Sequence, residues 1–509
     1  MAVPPIQPLH PPLHVVRAPA AAIVVDVLVA LLILVTLPLA ILAIPNTISV
    51  VAALLPPDVS QIAMMRAHGL ALPAMLLTVP AAALAVRRFR AAPVLVAGLT
   101  VLALADAAGG FAGGPGAVGA LRVLHGVGAG LLVPATLVAA MERPSRRVLL
   151  PIWAGALAVS LLSAQALALW PLDAVSSWQV TLQPYPLLTG VALALAAVFL
   201  VLWMLGDREG AARHERLSPT ERTRLVMAAV PSAGIAVLAV GTTFDWPPVT
   251  VIAVASVAVI AMLGLSSVAT FDGPGGRALA FTNVGVGLVV LPTAAQLTYV
   301  ELGGLGGPGL SGMWAPFGAA VVVALMGAYG AMRVSEEKAA RLTAAGLVTV
   351  VVGLCAIRLL VPTLGGSLLV VPFVLLAGGA AVALVSALRL AGQVAALFGL
   401  SLLFPAVLAG FLLGTGIQVT RLRAVSLSGD ATRQSLVDGF VGALHLWALI
   451  GGFVVVLVLL LASFLARRSA SASAPMPAAP EAPEEPGAVV VPAPTPSPED
   501  AADQPGSDR

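Results

Sequence analysis

The feature that most limits what this chain can fold into is a recurring one: unbroken apolar runs about twenty residues long, the length that carries a helix across bilayer hydrocarbon. Fourteen such runs can be drawn, the first at 22–44 and the last at 438–466. Inside hydrocarbon every backbone N–H and C=O must be paired within the protein, which leaves helices or a closed barrel. Barrel strands alternate apolar and polar residues. These runs do not alternate, so helices are expected. Only 10% of the residues are charged and 59% are hydrophobic, whereas a soluble domain carries about a quarter charged. The outer surface must therefore meet lipid. The expected fold class is an all-α polytopic membrane protein of about fourteen transmembrane helices. The first run follows Arg17 and is too long for a signal-peptide core, so it reads as an uncleaved span.

Charge placement orients these spans. With the N-terminus in the cytoplasm, the loops after even-numbered spans should be basic. Arg87, Arg88 and Arg90 follow span two, and Arg143, Arg146 and Arg147 follow span four. Arg208, Arg213, Arg216, Arg222 and Arg224 follow span six. In this arrangement 20 of the 26 basic residues lie inside and six outside: Arg66, Arg122, Arg358, Arg421, Arg423 and Arg433. Both termini are then cytoplasmic, and the expected location is a bacterial cytoplasmic membrane. The basic surplus is that of a positive-inside membrane protein and does not indicate nucleic-acid binding.

The expected organisation has a cytoplasmic tail at 1–21 and an N-terminal six-helix bundle at 22–205. A cytoplasmic loop follows at 206–224, then two linking helices at 225–269 and a C-terminal six-helix bundle at 270–466. Residues 467–509 are rich in Pro, Ala and Glu and hold seven acids; such a segment cannot bury a core and should be disordered.

Ionisable groups within a bilayer are costly and are functional candidates by default. Asp26 lies near the start of span one, where it can take up a proton, meet a cation or simply reach headgroups. Arg122 and His125 share a helical face in span four. A permanent charge beside a group that titrates near neutrality makes a proton or anion site; the alternative is an arginine snorkelling to the outer interface. Gly126 and Gly130, four apart, let a neighbouring helix approach closely, and Pro134 follows them. Arg66, His68, Arg358, Arg421 and Arg423 are candidates for an electropositive outer vestibule, unless outer acids such as Asp58, Asp106 and Glu301 pair with them. Gln165, Gln296 and Gln393 are further polar groups in or near spans. No phosphate-cradling loop or hydrolase constellation occurs, the six histidines are scattered, and Cys355 is alone. These features argue against an enzyme, and no cofactor or metal is expected.

Several short stretches resemble the major facilitator superfamily, in its fourteen-span drug:proton antiporter branch. Arg122, Gly126, Gly128 and Pro134 fall on that family's span-four motif, with His125 where Gln is usual. Ser177-Trp178 matches a pair opening span six, and Ser435–Phe440 resembles the segment leading into the last span. The loop Ala83–Ala92 keeps the family's basic character through the gating-loop candidates Arg87, Arg88 and Arg90, but lacks its glycines and Asp. The span-five Gly-Pro motif is absent near Gln165-Ala166.

The resemblance implies two six-helix bundles plus two linking helices, rocking around a midplane cavity. It implies a secondary active transporter that exports a lipophilic small molecule. Arg122 and His125 would anchor the cargo, and any proton coupling would run through His125 or Asp26. The partners expected are the lipid bilayer, that cargo and protons. The lost motifs keep an alternative open: a transporter-fold protein that no longer couples transport and serves as a scaffold or partner.

Overall fold

An apolar run that meets no water satisfies its backbone most simply through i→i−4 hydrogen bonds, and each run here is a helix. The computed structural model describes residues 19–172, 175–206, 218–241, 246–270, 274–302, 309–363, 366–427 and 432–472, and no strand occurs among them. The first half contains α1 (Pro19–Leu42), α2 (Gln61–His68), α3 (Ala71–Phe89), α4 (Ala91–Gly109), α5 (Pro115–Met141), α6 (Arg146–Leu169) and α7 (Pro186–Gly206). Next come α8 (Pro219–Met227), α9 (Ala229–Gly241) and α10 (Pro248–Ser267). The second half contains α11 (Pro274–Leu302), α12 (Gly309–Arg333), α13 (Glu336–Leu360), α14 (Val370–Arg389), α15 (Gln393–Leu427) and α16 (Arg433–Ala472). With α2–α3 and α8–α9 each counted as one crossing, 14 segments are long and apolar enough to span a membrane.

Three boundaries differ from expectation. The second span breaks at Gly69–Leu70, so a short α2 precedes α3. The sixth opens with a 3-10 turn, Trp178–Leu182, before α7. Helix α8 begins at Pro219, inside the segment expected to be loop, because Ser218 and Glu221 form a reciprocal capping box there. The expected N-terminal tail up to residue 18, the loop arginines Arg208, Arg213 and Arg216, and the tail from 473 lie outside the described residues.

Helix α5 is the hub of the first half, packing against α1, α3, α4 and α6; α7 closes that half against α1 and α4. In the second half α14 packs against α11, α12 and α13, and α11 lies along α15. Helix α16 is tied in where the Trp447 indole N–H donates to Thr293 Oγ1 at 2.9 Å. The halves meet along a seam with α6 against α11, α12 and α14 on one side and α3 against α15 on the other. Helices α9 and α10 cover the α3–α15 side. Burial follows this plan: the spans built on α11 and α15 are 94% and 89% buried, against 33% for those of α9 and α10. The central helices are thus shielded from lipid, while the linking pair, with α7, α12 and α16, forms the rim. Short connections alternate the helix directions, so two faces can be defined. One carries Arg87, Arg143, Arg333 and Arg389 and is called the basic face below; the other carries the end of α1 and the start of α5. The chain divides into compact units at Ala466; of the second, Arg467–Arg509, residues 467–472 are helical.

Candidate functional site

The close approach of α5 and α3 places the site. A Cβ on Gly130 would lie 2.7 Å from Thr78 Cβ, and one on Gly126 would lie 2.8 Å from Ala74 Cβ, so only glycine lets these backbones touch. Pro134, buried one turn on, removes an N–H from the α5 ladder in the same region. Two turns in from the start of α5, Arg122 is 3% exposed. Its Nε donates to the His68 carbonyl at 3.0 Å, and Nη2 donates to the carbonyls of Ala43 and, at 3.2 Å, Pro45. These acceptors are the end of α2 and the chain leaving α1. Helix C-termini leave carbonyls without intrahelical partners and carry partial negative charge. Arg122 therefore caps two helix ends with one guanidinium. It is buried within the protein, and its Nε and Nη2 are occupied by backbone.

His125, one turn further on, is in a different situation. Its Nδ1 lies 2.8 Å from the Leu121 carbonyl and its Nε2 lies 2.9 Å from Asp106 Oδ1 of α4. Asp106 Oδ2 also accepts from Thr189 Oγ1 of α7 at 2.7 Å. A carbonyl can only accept, so Nδ1 must donate. The Nε2–carboxylate contact joins α5 to α4, and Thr189 adds α7. Asp106, Arg122, His125 and Thr189 line a cavity of about 30 Å³, space for one water. His68, 1% exposed, has both ring nitrogens buried without a hydrogen-bond partner. It belongs to this buried cluster and not to an outer vestibule; Arg66, Arg358, Arg421 and Arg423 are exposed. Asp106, expected among the outer acids, is the His125 partner. The signal for it was available, since an acid within an apolar run needs a partner.

The other predicted residues lie at the basic face. Asp26 Oδ1 accepts from Arg143 Nε at 2.6 Å, and Arg143 Nη2 also donates to the Ala22 carbonyl at 3.2 Å. Arg87 Nη1 donates to Gln393 Oε1 at 2.7 Å, joining the end of α3 to the start of α15 across the seam. Arg88 is exposed and sits 5.2 Å from the Phe89 ring centroid. Arg90 joins α3 to α4 with φ +73°, the left-handed region that favours glycine.

At the opposite face the seam holds a cavity of about 340 Å³ lined by Asn46, Arg66, Gln165, Tyr299, Phe411 and Leu412 among others. Tyr299 Oη donates to the Asn46 carbonyl at 3.2 Å and accepts from Gln165 Nε2 at 3.1 Å. Ala239 and Val240 of α9 complete the wall, which gives the linking pair a place in the site. Tyr299 was not singled out from sequence; one of only three tyrosines, it offers no spacing signal.

No protein-family model matches the chain, and no curated protein matches it. Among solved structures, a bacterial homologue of the human lysosomal transporter Spinster, captured inward-facing and unoccupied, aligns with 89% of this chain and 98% of its own. The TM-score is 0.49 and the identity 12%.

Proposed function

We propose that this chain is a secondary transporter that moves a lipophilic small molecule across the membrane by alternating access and couples the movement to protons. The observation that carries this reading is the seam: a cavity of about 340 Å³ walled by both halves, with side-chain hydrogen bonds crossing between the halves at either end. Two halves packed along helix faces, with exchangeable polar bonds at either end, can rock so that one end opens while the other stays shut. The mostly apolar wall favours a lipophilic cargo, with Asn46, Gln165 and Tyr299 available to orient it. The span-four motif that resembles the drug:proton antiporters supports export as the direction.

The proton role falls to Asp106 and His125. In this reading the buried pair, at the junction of α4, α5 and α7, shares one transferable proton away from bulk water. Losing that proton leaves a carboxylate facing an imidazole lone pair, and the three helices must then adjust. Asp26 is less suited, because Arg143 already neutralises it at the basic face.

A reversible cross-link tests the reading. Arg87→Cys and Gln393→Cys, in a Cys355→Ser background, should be bridged by a short bifunctional thiosulfonate that spans the reach of the two lost side chains, which should stop uptake of a lipophilic fluorescent dye into proteoliposomes, with recovery on reduction. Undiminished uptake by the fully cross-linked protein would contradict rocking about this seam.

A further inference from the structure

Past the end of α1, residues Ala43–Thr47 run without helix, and all but Asn46 are buried. The segment is a partition between two cavities. Ala43, Pro45 and Thr47 line the small one that holds Asp106 and His125, and Ile44, Pro45 and Asn46 line the large one in the seam. Pro45 belongs to both walls. Each side is gripped by a different half of the protein. On the small-cavity side, Arg122 Nη2 donates to the carbonyls of Ala43 and Pro45. On the seam side the next carbonyl, that of Asn46, accepts from Tyr299 Oη of α11 at 3.2 Å. The Asn46 side chain adds a third tie, its Nδ2 donating to the Met65 carbonyl of α2 at 2.8 Å. Proline fixes φ within the gripped stretch, so the partition is stiff where the two grips meet.

Arg122 has a competitor for its charge. Asp106 lies in the same cavity wall and attracts the guanidinium, whose Nη1 makes none of the three backbone bonds. The other titratable groups around the Asp106–His125 pair are His68 of α2, which interacts with Arg122 and His125, and Tyr185, just before α7. Among the described residues, α1, α3 and α6 place no ionisable side chain in that wall. The charge on Asp106 therefore has one mobile cation to act on, and that cation grips the partition.

We propose that Ala43–Thr47 transmits the state of the Asp106–His125 pair to the seam, with Pro45 and Asn46 as its positioning residues. Loss of the shared proton to water leaves a full carboxylate, which draws Arg122 off the Ala43 and Pro45 carbonyls. The freed partition shifts, the Asn46 carbonyl leaves Tyr299, and the seam opens at that face. The inference rests on the proton-coupled reading above, and its test separates the two.

The test uses Leu412→Cys, Cys355→Ser protein in oriented proteoliposomes, since Leu412 lies in the seam wall. A membrane-impermeant maleimide is added at the face that carries Asn46 and Tyr299, and each rate is divided by that of glutathione at the same pH. Between about pH 5 and about pH 8, the range in which histidine titrates, the parent rate should rise about fivefold, the shift that one neutral hydrogen bond allows. Pro45→Gly, which keeps every carbonyl and removes the stiffness, should stay within about twofold of the parent's low-pH rate at both ends of the range. Asn46→Ala, which keeps the carbonyl and cuts the tie to α2, should do the same. If both variants keep the parent's rise with pH, the partition transmits nothing, and proton coupling still stands. Fast labelling at both ends of the range, as Tyr299→Phe should give, would mean that Pro45 and Asn46 only prop the seam shut, and would overturn the proposal as well. A parent rate that does not change with pH contradicts proton coupling itself, and this inference with it.

Discussion

Gln393→Ala should release the basic end of the seam and leave the opposite end shut. The lost bond joins a guanidinium to an amide oxygen at 2.7 Å in a half-buried position. A hydrogen bond to a charged group contributes about 1.5–3 kcal/mol. Arg87 takes part in other interactions, so the lower figure applies. About 1.5 kcal/mol is roughly a tenfold shift in population toward the state open at the basic face. Tyr299→Phe does the mirror operation: it removes two neutral bonds worth about 1 kcal/mol each, an upper limit near thirtyfold toward opening at the other face. The reporter is Leu412→Cys in the cavity wall, with the exposed native Cys355 changed to Ser. Oriented proteoliposomes receive a membrane-impermeant maleimide on one side at a time. Gln393→Ala should speed labelling about tenfold from the basic face only, and Tyr299→Phe from the opposite face only. If folded Gln393→Ala protein labels from the basic face within twofold of the parent rate, the bond does not hold the seam and the reasoning fails.

Other outcomes follow from the same geometry. Arg122→Ala strands the carbonyls of Ala43, Pro45 and His68, so it should cost about 3–5 kcal/mol and appear as a large fall in melting temperature in detergent; a wild-type melting temperature would refute the capping role. Arg90→Gly relieves a left-handed residue and should stabilise by about 1 kcal/mol in the same assay. Asp26→Asn breaks a partly exposed ion pair and should cost about 1 kcal/mol or less, with transport retained. Gly130→Leu should separate α5 from α3 and lower both expression and melting temperature, since a Cβ alone already falls 2.7 Å from Thr78 Cβ.

The architecture was legible because hydropathy is a property of contiguous sequence. All fourteen crossings follow from run length, and the runs at 22–44 and 438–466 need no tertiary information. The break at Gly69–Leu70 was hidden because an apolar run reads the same whether its helix is continuous or bent. The site was legible only in part. Arg122 and His125 stand out by chemistry, but their different tasks depend on which helix ends lie beside them. His68 looked like a rim residue because depth along a helix was assigned from one end, and the α2–α3 break shifts that depth. The His125–Asp106 pair joins residues on neighbouring helices, 19 apart, and no periodicity reports a contact of that kind. Tyr299, and the Arg87 partner of Gln393, became visible only once the two halves were set against each other.

The central claim is proton-coupled movement of a lipophilic cargo, and the most direct measurement combines a pH gradient with Asp106→Asn. An asparagine amide can donate to His125 Nε2 and so mimics the loaded pair permanently. In proteoliposomes, wild-type protein should accumulate a lipophilic fluorescent dye against its gradient when a pH gradient is imposed, and lose that ability when a protonophore is added. Asp106→Asn should still exchange dye across the membrane at equal pH but show no accumulation with the gradient. Wild-type vesicles that move no more dye than protein-free liposomes would contradict the account, as would an Asp106→Asn protein that still concentrates dye under the gradient.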